Sequence, residues 1–148
     1  MGLFQSFDIA ASGMTAERFR MDTIAENIAN INTTRDEDGG PYRRKIVTFE
    51  EKNLTAMSFR DTLSYVNAYK GNGVKVSGVH EDYETDFVME YDPAHPDADE
   101  NGYVTYPNVN TVTEMTNLID ASRGYQANVT AFNALKAMTS QGISIGQS

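Results

Sequence analysis

The sequence predicts an α+β fold, in which long N- and C-terminal helices pair as a coiled-coil hairpin and a small β-rich module is inserted between them. Three features support this prediction. They are a heptad pattern near the N-terminus, an apolar stripe at helical spacing near the C-terminus, and β-branched and aromatic runs between the two. We expect residues 1–35 and 107–148 to form the helical core and residues 36–106 to form the β-rich module.

The first helix is predicted from apolar residues that recur at heptad spacing over residues 3–31. About 30 helical residues span about 45 Å, because each residue rises 1.5 Å. A helix this long with one narrow apolar stripe needs a partner that covers the stripe. One seam position holds Phe7, Met14, Met21 and Ile28, and the other holds Leu3, Ala10, Ile24 and Ile31, with Glu17 as the single break.

The C-terminal segment supplies such a partner, because its apolar residues follow 3–4 spacing and no proline interrupts residues 108–148. Its start has two candidate caps. Thr111 and Glu114 stand at capping-box spacing, and Asn110 competes for the cap position. Gly142 is expected to begin a frayed tail. The stripe comprises Met115, Leu118, Ser122, Tyr125, Val129, Phe132 and Ile143.

Between the helices, four stretches have the composition of strands, and a bend is expected at Gly78. Residues 52–72 combine helical spacing with loop-forming residues and stay ambiguous. The basic cluster at residues 42–45 is interpreted either as a solvated strand face or as a contact with an acidic patch on a neighbouring subunit. The four strand-like stretches are YRRKIVTFEE, GVKVSGVHEDYE, DFVMEY and YVTY.

The segment 81–102 is predicted to be an acidic loop, and part of it copies the start of a calcium-binding loop. From Asp97 the chain reads D-x-D-x-N-G, but the twelfth position is Asn108, where an EF-hand needs a bidentate glutamate. Pro93 and Pro96 also break the helix that should lead into the loop. We therefore interpret it as a solvated turn ending at Asn101-Gly102, with a calcium-binding module as the alternative.

Composition argues against several classes of function. The net charge of −9 argues against nucleic-acid binding, and the chain has no cysteine. His80 and His95 are the only histidines, and no nucleophile motif accompanies them, so we expect no enzyme, metal or cofactor. The N-terminus lacks a cleaved signal. Its short myristoylation match at Gly2 and Ser6 is weak, and we expect no lipid anchor.

Both helical segments are rich in alanine and asparagine. Alanine lets neighbouring helices approach closely, and asparagine weakens an isolated helix because its amide competes for backbone groups. Such helices depend on packing for their stability. Two interpretations stay open on this ground: a chain that orders fully when packed in an assembly, and a monomeric adaptor with an ordinary helical hairpin.

Longer motifs discriminate between these interpretations. The stretch SGMTAERFRMDTIAENIANINTT resembles the N-terminal signature of the bacterial flagellar axial proteins, which build rod and hook. The stretches GPYRRKIVTFE, YDPAHPDADENGYVTYPNVN and EMTNLIDASRGYQANVTAFNALKAM are similar to segments of the same family. The resemblance covers residues 1–50 and 86–142.

This resemblance implies a structural role. The terminal helices would form a coiled-coil core around an axial channel, and the middle module would face outward. Subunits would stack helically, with copies of themselves and other rod proteins, into a shaft that spans the periplasm and transmits torque. Ring and export-gate proteins would contact the base, and the subunit would be exported without a cleaved signal.

The resemblance also implies a set of assembly residues on the two helices. To the positions matched in the family we add Phe7, Met21, Leu118, Val129 and Phe132 from the apolar stripes. The matched positions are Met14, Arg18, Asp22, Ile24, Asn27, Ile28, Ala29, Asn30, Asn32 and Thr33 in the first helix and its end, and Met115, Ser122, Arg123, Tyr125, Gln126, Ala127 and Asn128 in the last.

Overall fold

A computed structural model describes residues 3–36, 39–52 and 71–146. The predicted α+β class is confirmed, since two long helices flank a small β region. Most of the ambiguous segment 52–72 lies outside the described residues. In chain order the elements are α1 (Leu3–Ala29), β1 (Lys45–Glu51), β2 (Val74–Glu81), β3 (Val88–Tyr91), β4 (Tyr103–Tyr106) and α2 (Thr111–Gly146).

Helix α1 ends two residues before the heptad pattern does. The pattern extends to Ile31, but the helix stops at Ala29 because Asn30 closes it with its side chain. The Asn30 Nδ2 group donates to the Glu26 carbonyl at 2.9 Å, and the Thr33 hydroxyl donates to Asn30 Oδ1 at 3.1 Å. An asparagine at a helix end commonly competes with the backbone ladder in this way.

The N-terminus of helix α2 is capped by Asn110 and not by a capping box. The Asn110 Oδ1 atom accepts the backbone N–H groups of Val112 and Thr113 at 3.0 and 3.1 Å, as an N-cap residue does. The capping-box alternative is wrong, because the side chain of Glu114 is buried and bonded elsewhere. The frayed tail expected from Gly142 is also wrong, since α2 continues to Gly146 and one glycine costs only about 1 kcal/mol.

Strands β1 and β2 form a two-stranded sheet. The backbone N–H of Asp82 donates to the Arg44 carbonyl at 2.8 Å, and that of Lys52 donates to the Gly73 carbonyl at 2.9 Å, so the strands run antiparallel. The bend expected at Gly78 is wrong. The strand passes through this residue, whose carbonyl accepts a bond from the Thr48 hydroxyl.

Strands β3 and β4 form a second antiparallel pair, with Val88 opposite Tyr106 and Tyr91 opposite Tyr103. The turn predicted at Asn101-Gly102 is confirmed. Gly102 adopts a φ of 81°, which favours glycine, and its N–H donates to the Asp99 carbonyl at 3.0 Å. This turn returns the chain into β4, which leads through Pro107 toward α2.

The chain divides into two compact units. Unit 1 comprises Met1–Phe19, Phe49–Ser77 and Ala121–Ser148, and unit 2 comprises Arg20–Thr48 and Gly78–Asp120. Each helix contributes to both units, so this division by compactness differs from the core and module predicted from the sequence. Within the described ranges, neither helix is apolar enough over a sufficient length to cross a membrane.

Candidate assembly surface and a buried polar cluster

A buried carboxamide organises unit 2. The side chain of Asn27 is 0% exposed. Its Oδ1 atom accepts the Lys45 N–H at 2.9 Å and the Tyr42 hydroxyl at 2.8 Å. Its Nδ2 group donates to the Lys45 carbonyl at 2.9 Å and to Glu114 Oε2 at 3.0 Å. Both donors and both acceptor positions of the amide are used, so Asn27 joins α1, the start of β1 and α2.

Glu114 and Arg44 form the charged centre of this cluster. The Glu114 side chain is 1% exposed, and its Oε1 atom accepts Arg44 Nε at 2.9 Å and Arg44 Nη2 at 2.8 Å. Asn117 Nδ2 adds a longer bond of 3.3 Å to the same oxygen. A buried carboxylate is tolerated only with such compensation, because losing its hydration is costly. The pair therefore holds the first turn of α2 against the residue that precedes β1.

Asp82 and Asn108 complete the cluster on the strand side. Asp82 Oδ2 lies 3.3 Å from Arg44 Nη1. Asn108 Oδ1 accepts the Arg44 N–H at 2.8 Å, and Asn108 Nδ2 donates to the Asp82 and Thr85 carbonyls at 2.9 and 3.0 Å. Burial alone would raise the pKa of Asp82, but bonds from Thr85, Glu84 and Arg44 outweigh it and lower that pKa.

The basic cluster at residues 42–45 makes contacts within the chain, so its interpretation as a solvated strand face is wrong, whereas a contact with a neighbouring subunit stays a prediction. Arg43 stacks over Tyr83 and Phe87, with 4.4 and 4.2 Å from its Cζ atom to the ring centres. Lys45 Nζ pairs with Glu26 at 2.5 Å. Burial, followed by the charge of Glu26, raises the pKa of the Tyr42 phenol, which remains a protonated donor to Asn27.

In the acidic segment, Asp97 and Asp99 bind to the residues after α1 and within a turn, respectively. Asp97 accepts the Thr34 hydroxyl at 2.8 Å and pairs with Arg35 at 2.7 Å. Asp99 Oδ1 accepts the N–H groups of Asn101 and Tyr103, and the bond from Tyr103 is the main cause that lowers the pKa of Asp99. Over the part of the chain that the structure describes, no three His, Asp or Glu side chains converge on one point.

In unit 1 the two helices touch at three levels. The rings of Phe7 and Phe132 meet edge to face, with centroids 5.0 Å apart. At the next level, a Cβ added to Gly13 would lie 2.6 Å from Asn128 Oδ1, so the absence of a side chain permits this approach. Further along α1, Glu17 lies against Gly124. As the residue numbers increase along α1, the numbers of the contacting residues in α2 decrease, so these segments run antiparallel.

Much of the apolar surface on both helices is exposed. On α2 Met138 is 62% and Ile143 is 59% exposed, and on α1 Phe4 is 81% exposed. Soluble monomers rarely keep extended apolar patches, which usually mark interaction sites. The other large apolar side chains exposed on the helices are Phe19, Val112, Met115, Ile119 and Ile145.

The predicted assembly residues fall into three groups by burial. Ile24 and Asn27 are buried. The exposed members could contact another molecule without rearrangement of the subunit. These are Arg18, Asp22, Ala29, Asn32, Met115, Arg123, Gln126 and Ala127, and the half-buried members are Phe7, Met14, Met21, Ile28, Asn30, Thr33, Leu118, Ser122, Tyr125, Asn128, Val129 and Phe132.

Sequence reasoning missed the partners of Asn27. The sequence pattern indicates only a capping role for Glu114 and only membership of a basic run for Arg44. The sequence places Asp82 in an acidic, solvated stretch and Asn108 at the twelfth position of the incomplete calcium-loop pattern. Periodicity carries no signal for a polar cluster assembled from residues far apart in the sequence. The one usable hint is an asparagine within the apolar seam of α1, since a buried amide demands partners.

Comparison with known families bears on both ends of the chain. Residues 7–35 match the model described as "Flagella basal body rod protein". Residues 100–145 match the model described as "Flagellar basal body rod FlgEFG protein C-terminal". The two matched segments contain α1 from Phe7 onward and nearly all of α2, so the family signatures coincide with the helices whose apolar faces are exposed.

Similarity to individual proteins extends over the whole chain. The flagellar basal-body rod protein FlgC of Bacillus subtilis is 42% identical over 151 residues, covering 99% of this chain and all of that protein. FlgC of Borreliella burgdorferi is 43% identical over 152 residues, and FlgC of Salmonella typhimurium is 39% identical over 150. This chain belongs to the flagellar basal-body rod protein FlgC family. The family resemblance predicted from sequence is thereby confirmed.

Membership in the FlgC family establishes the general role. The chain is a structural subunit of the bacterial flagellar basal-body rod, and it assembles with other rod components. Its FlgC relatives are structural rod proteins. Neither a monomeric adaptor nor a calcium-binding module finds support among them.

Proposed function

We propose that this subunit assembles helically, with copies of itself and other rod proteins, into the axial shaft that transmits torque. In this arrangement residues 1–35 and 107–148 form a coiled-coil core around the export channel, and residues 36–106 face outward. The shaft spans the periplasm, to which its subunits are exported, and its base contacts ring and export-gate proteins. The role is mechanical, with no catalytic function.

The exposed apolar side chains of α2 carry this proposal. Met138 and Ile143 lie on a helix whose last turns leave both residues more than half exposed. Burying an apolar side chain contributes about 1.5–3 kcal/mol, so a helix with this surface gains stability when neighbours cover it. Packing between subunits in a helical array supplies such neighbours on several sides.

The antiparallel contacts in unit 1 support a coiled-coil arrangement of the helices. Phe7 and Phe132 both belong to the predicted apolar stripes, and their rings meet. Beside this contact a small residue of one helix lies against a larger one of the other, as Gly13 against Asn128 illustrates. We propose that further helices from neighbouring subunits extend this seam into the core of the shaft.

Not every predicted assembly residue contacts a neighbour under this proposal. Asn27 and Ile24 are buried inside the subunit, so we assign them to its own folding. The contacts between subunits then involve exposed positions, such as Arg18, Met115 and Arg123. Half-buried residues of the stripes lie at the border of these contacts.

Met138→Asp and Ile143→Asp test the proposal. Each places a charge on a surface that is solvated in the monomer and buried in the shaft, where an unpaired charge is costly. We expect wild-type levels of soluble subunit and wild-type monomer unfolding, with swimming and the yield of basal-body rods strongly reduced. Ser140→Asp, at an exposed polar position between the two, is the matched control and should swim normally.

Normal swimming and normal rod yield with both aspartate variants would contradict the proposed use of the α2 surface. A monomer destabilised to the same extent as assembly would also contradict it, because the side chains would then serve the subunit's own fold. Purified basal bodies, probed for the subunit, provide the reference measurement in each case.

A further inference from the structure

Glu17 is the charged residue that interrupts the apolar seam of α1. In unit 1 its carboxylate lies directly over Gly124 of α2. A Cβ added to Gly124 would stand 3.0 Å from Glu17 Cδ and 3.1 Å from Oε1. The glycine therefore provides the space in which this acid sits between the helices.

One oxygen of this carboxylate has no partner. Glu17 Oε2 is buried, and it accepts no hydrogen bond from any described residue. The Glu17 residue lines a cavity of about 330 Å³ whose other walls include Ile9, Ala16, Phe49 and Asn128. The amide of Asn128 is already bonded to the Gly124 carbonyl at 2.9 Å. Since a buried charge without a partner is unfavourable, the site is incomplete in the single subunit.

The described helices carry cations that are also without partners. Arg18, Arg20, Arg123 and Lys136 make no ion pair or side-chain hydrogen bond within the residues that the structure describes. In the strands and loops the situation is reversed, because basic side chains there are paired or stacked, with Lys52 as the exception. The paired or stacked cations are Arg35, Arg43, Arg44, Lys45 and Lys75.

We propose that Glu17 receives the arginine or lysine of a second copy of this chain, in an ion pair formed only on assembly. The cavity beside Glu17 has largely apolar walls, which suit the methylene stem of such a side chain while the charged end reaches Oε2. The donor comes from the unpaired helix cations named above. This inference rests on the proposed helical assembly and adds a specific residue pair to it.

The variant Glu17→Gln separates a role in assembly from a role in folding. In the isolated subunit it removes an unpaired buried charge, so the midpoint of thermal unfolding should rise. In the shaft it removes the ion pair, so the yield of rods and the swimming rate should fall several-fold. Asp8→Asn makes the same chemical change at an exposed position of α1 and should leave both measurements unchanged.

Cross-linking in purified basal bodies identifies the donor. The chain has no cysteine, so single cysteines can be placed without interference. Cells would co-express Glu17→Cys with one cysteine variant of Arg18, Arg20, Arg123 or Lys136, and a short bismaleimide would join the two thiols. A linker is used because a disulfide requires Cα atoms within about 7 Å, closer than a glutamate–arginine pair places them.

We expect a covalent dimer with at least one of the four cations and none with Thr130→Cys, an exposed position on α2. The inference is overturned if Glu17→Gln assembles as well as wild type, or if no helix-cation variant gives a dimer. Basal bodies that contain the subunit in normal amounts would still support the proposed function in those cases. Basal bodies without the wild-type subunit would instead contradict the proposed function itself.

Discussion

The two units of this rod subunit are stabilised in different ways. In unit 2 the buried apolar residues Ile24, Val104 and Val109 accompany a polar cluster whose charges are paired. In unit 1 the buried apolar side chains among the described residues are alanines. These are Ala10, Ala16 and Ala121.

This difference indicates which part of the subunit depends on its neighbours for stability. Alanine buries little area, so a unit with an alanine core gains little from the hydrophobic effect, which scales with apolar area removed from water. Unit 2 instead has larger apolar residues and directional bonds that fix its geometry without help. We therefore infer that unit 2 is stable in the isolated subunit, whereas the helix segments of unit 1 gain further stability from assembly.

Among variants that test this comparison, Glu114→Ala is expected to cause the largest loss of stability. The substitution leaves the Arg44 guanidinium and the Asn27 amide without their shared acceptor in a buried site. Removing one partner of a buried ion pair costs about 3 kcal/mol or more. We expect a loss of this size in the free energy of unfolding of the purified subunit, measured with denaturant and circular dichroism.

Glu26→Ala is the matched control, because it breaks the more exposed ion pair with Lys45 in the same unit. Such pairs contribute about 0.2–1 kcal/mol. Equal losses in the two variants would show that the polar cluster does not dominate the stability of unit 2. Glu114→Gln, which retains an acceptor for Arg44, should recover part of the loss.

A second pair of variants probes unit 1 through its glycines. In Gly13→Ala the new Cβ would lie 2.6 Å from Asn128 Oδ1, so the helices must shift or the amide must turn. We expect a net loss of about 1 kcal/mol, because overpacking typically costs 1–3 kcal/mol and alanine returns up to about 1 in helix propensity.

Gly142→Ala lacks the clash, because no atom lies within 4 Å of the added Cβ. It should therefore raise helix stability by up to about 1 kcal/mol. Opposite signs in the thermal unfolding of the two variants are the expected result. A gain in both would mean that the close approach of Gly13 and Asn128 is absent in solution.

The sequence allowed the α+β class, both helices and the strand segments to be predicted, because periodicity of 3.6 and 2 residues is a local signal. It also allowed the family to be recognised from long motifs at both ends. The end of α1 at Asn30 and the continuity of strand β2 through Gly78 were not predicted, since both depend on individual hydrogen bonds.

The polar cluster could not be predicted from the sequence, for a related reason. Asn27 and Glu114 are 87 positions apart, and nothing in either neighbourhood specifies the other. Arg44 stands in a run of basic residues that has the composition of a solvated surface, yet its side chain is mostly buried by pairing. Only the tertiary structure distinguishes a basic residue that is free to bind a neighbouring subunit from one that is already paired within its own subunit.

The smallest expected effect is a pH dependence that Asp82 confers on unit 2. The folded state lowers the pKa of Asp82 below its ordinary value of about 3.9, since bonds from Thr85, Glu84 and Arg44 to the carboxylate outweigh its burial. Folding thus favours the ionised form. Its contribution is complete above about pH 5 and is lost as the pH falls through the folded pKa.

We expect the free energy of unfolding to decline more steeply below pH 5 in wild type than in Asp82→Asn, which has no carboxyl group to protonate there. Denaturant titrations of both proteins from pH 7 to pH 3 provide the measurement. Parallel curves would mean that the carboxylate of Asp82 is no better stabilised in the folded subunit than in the unfolded chain.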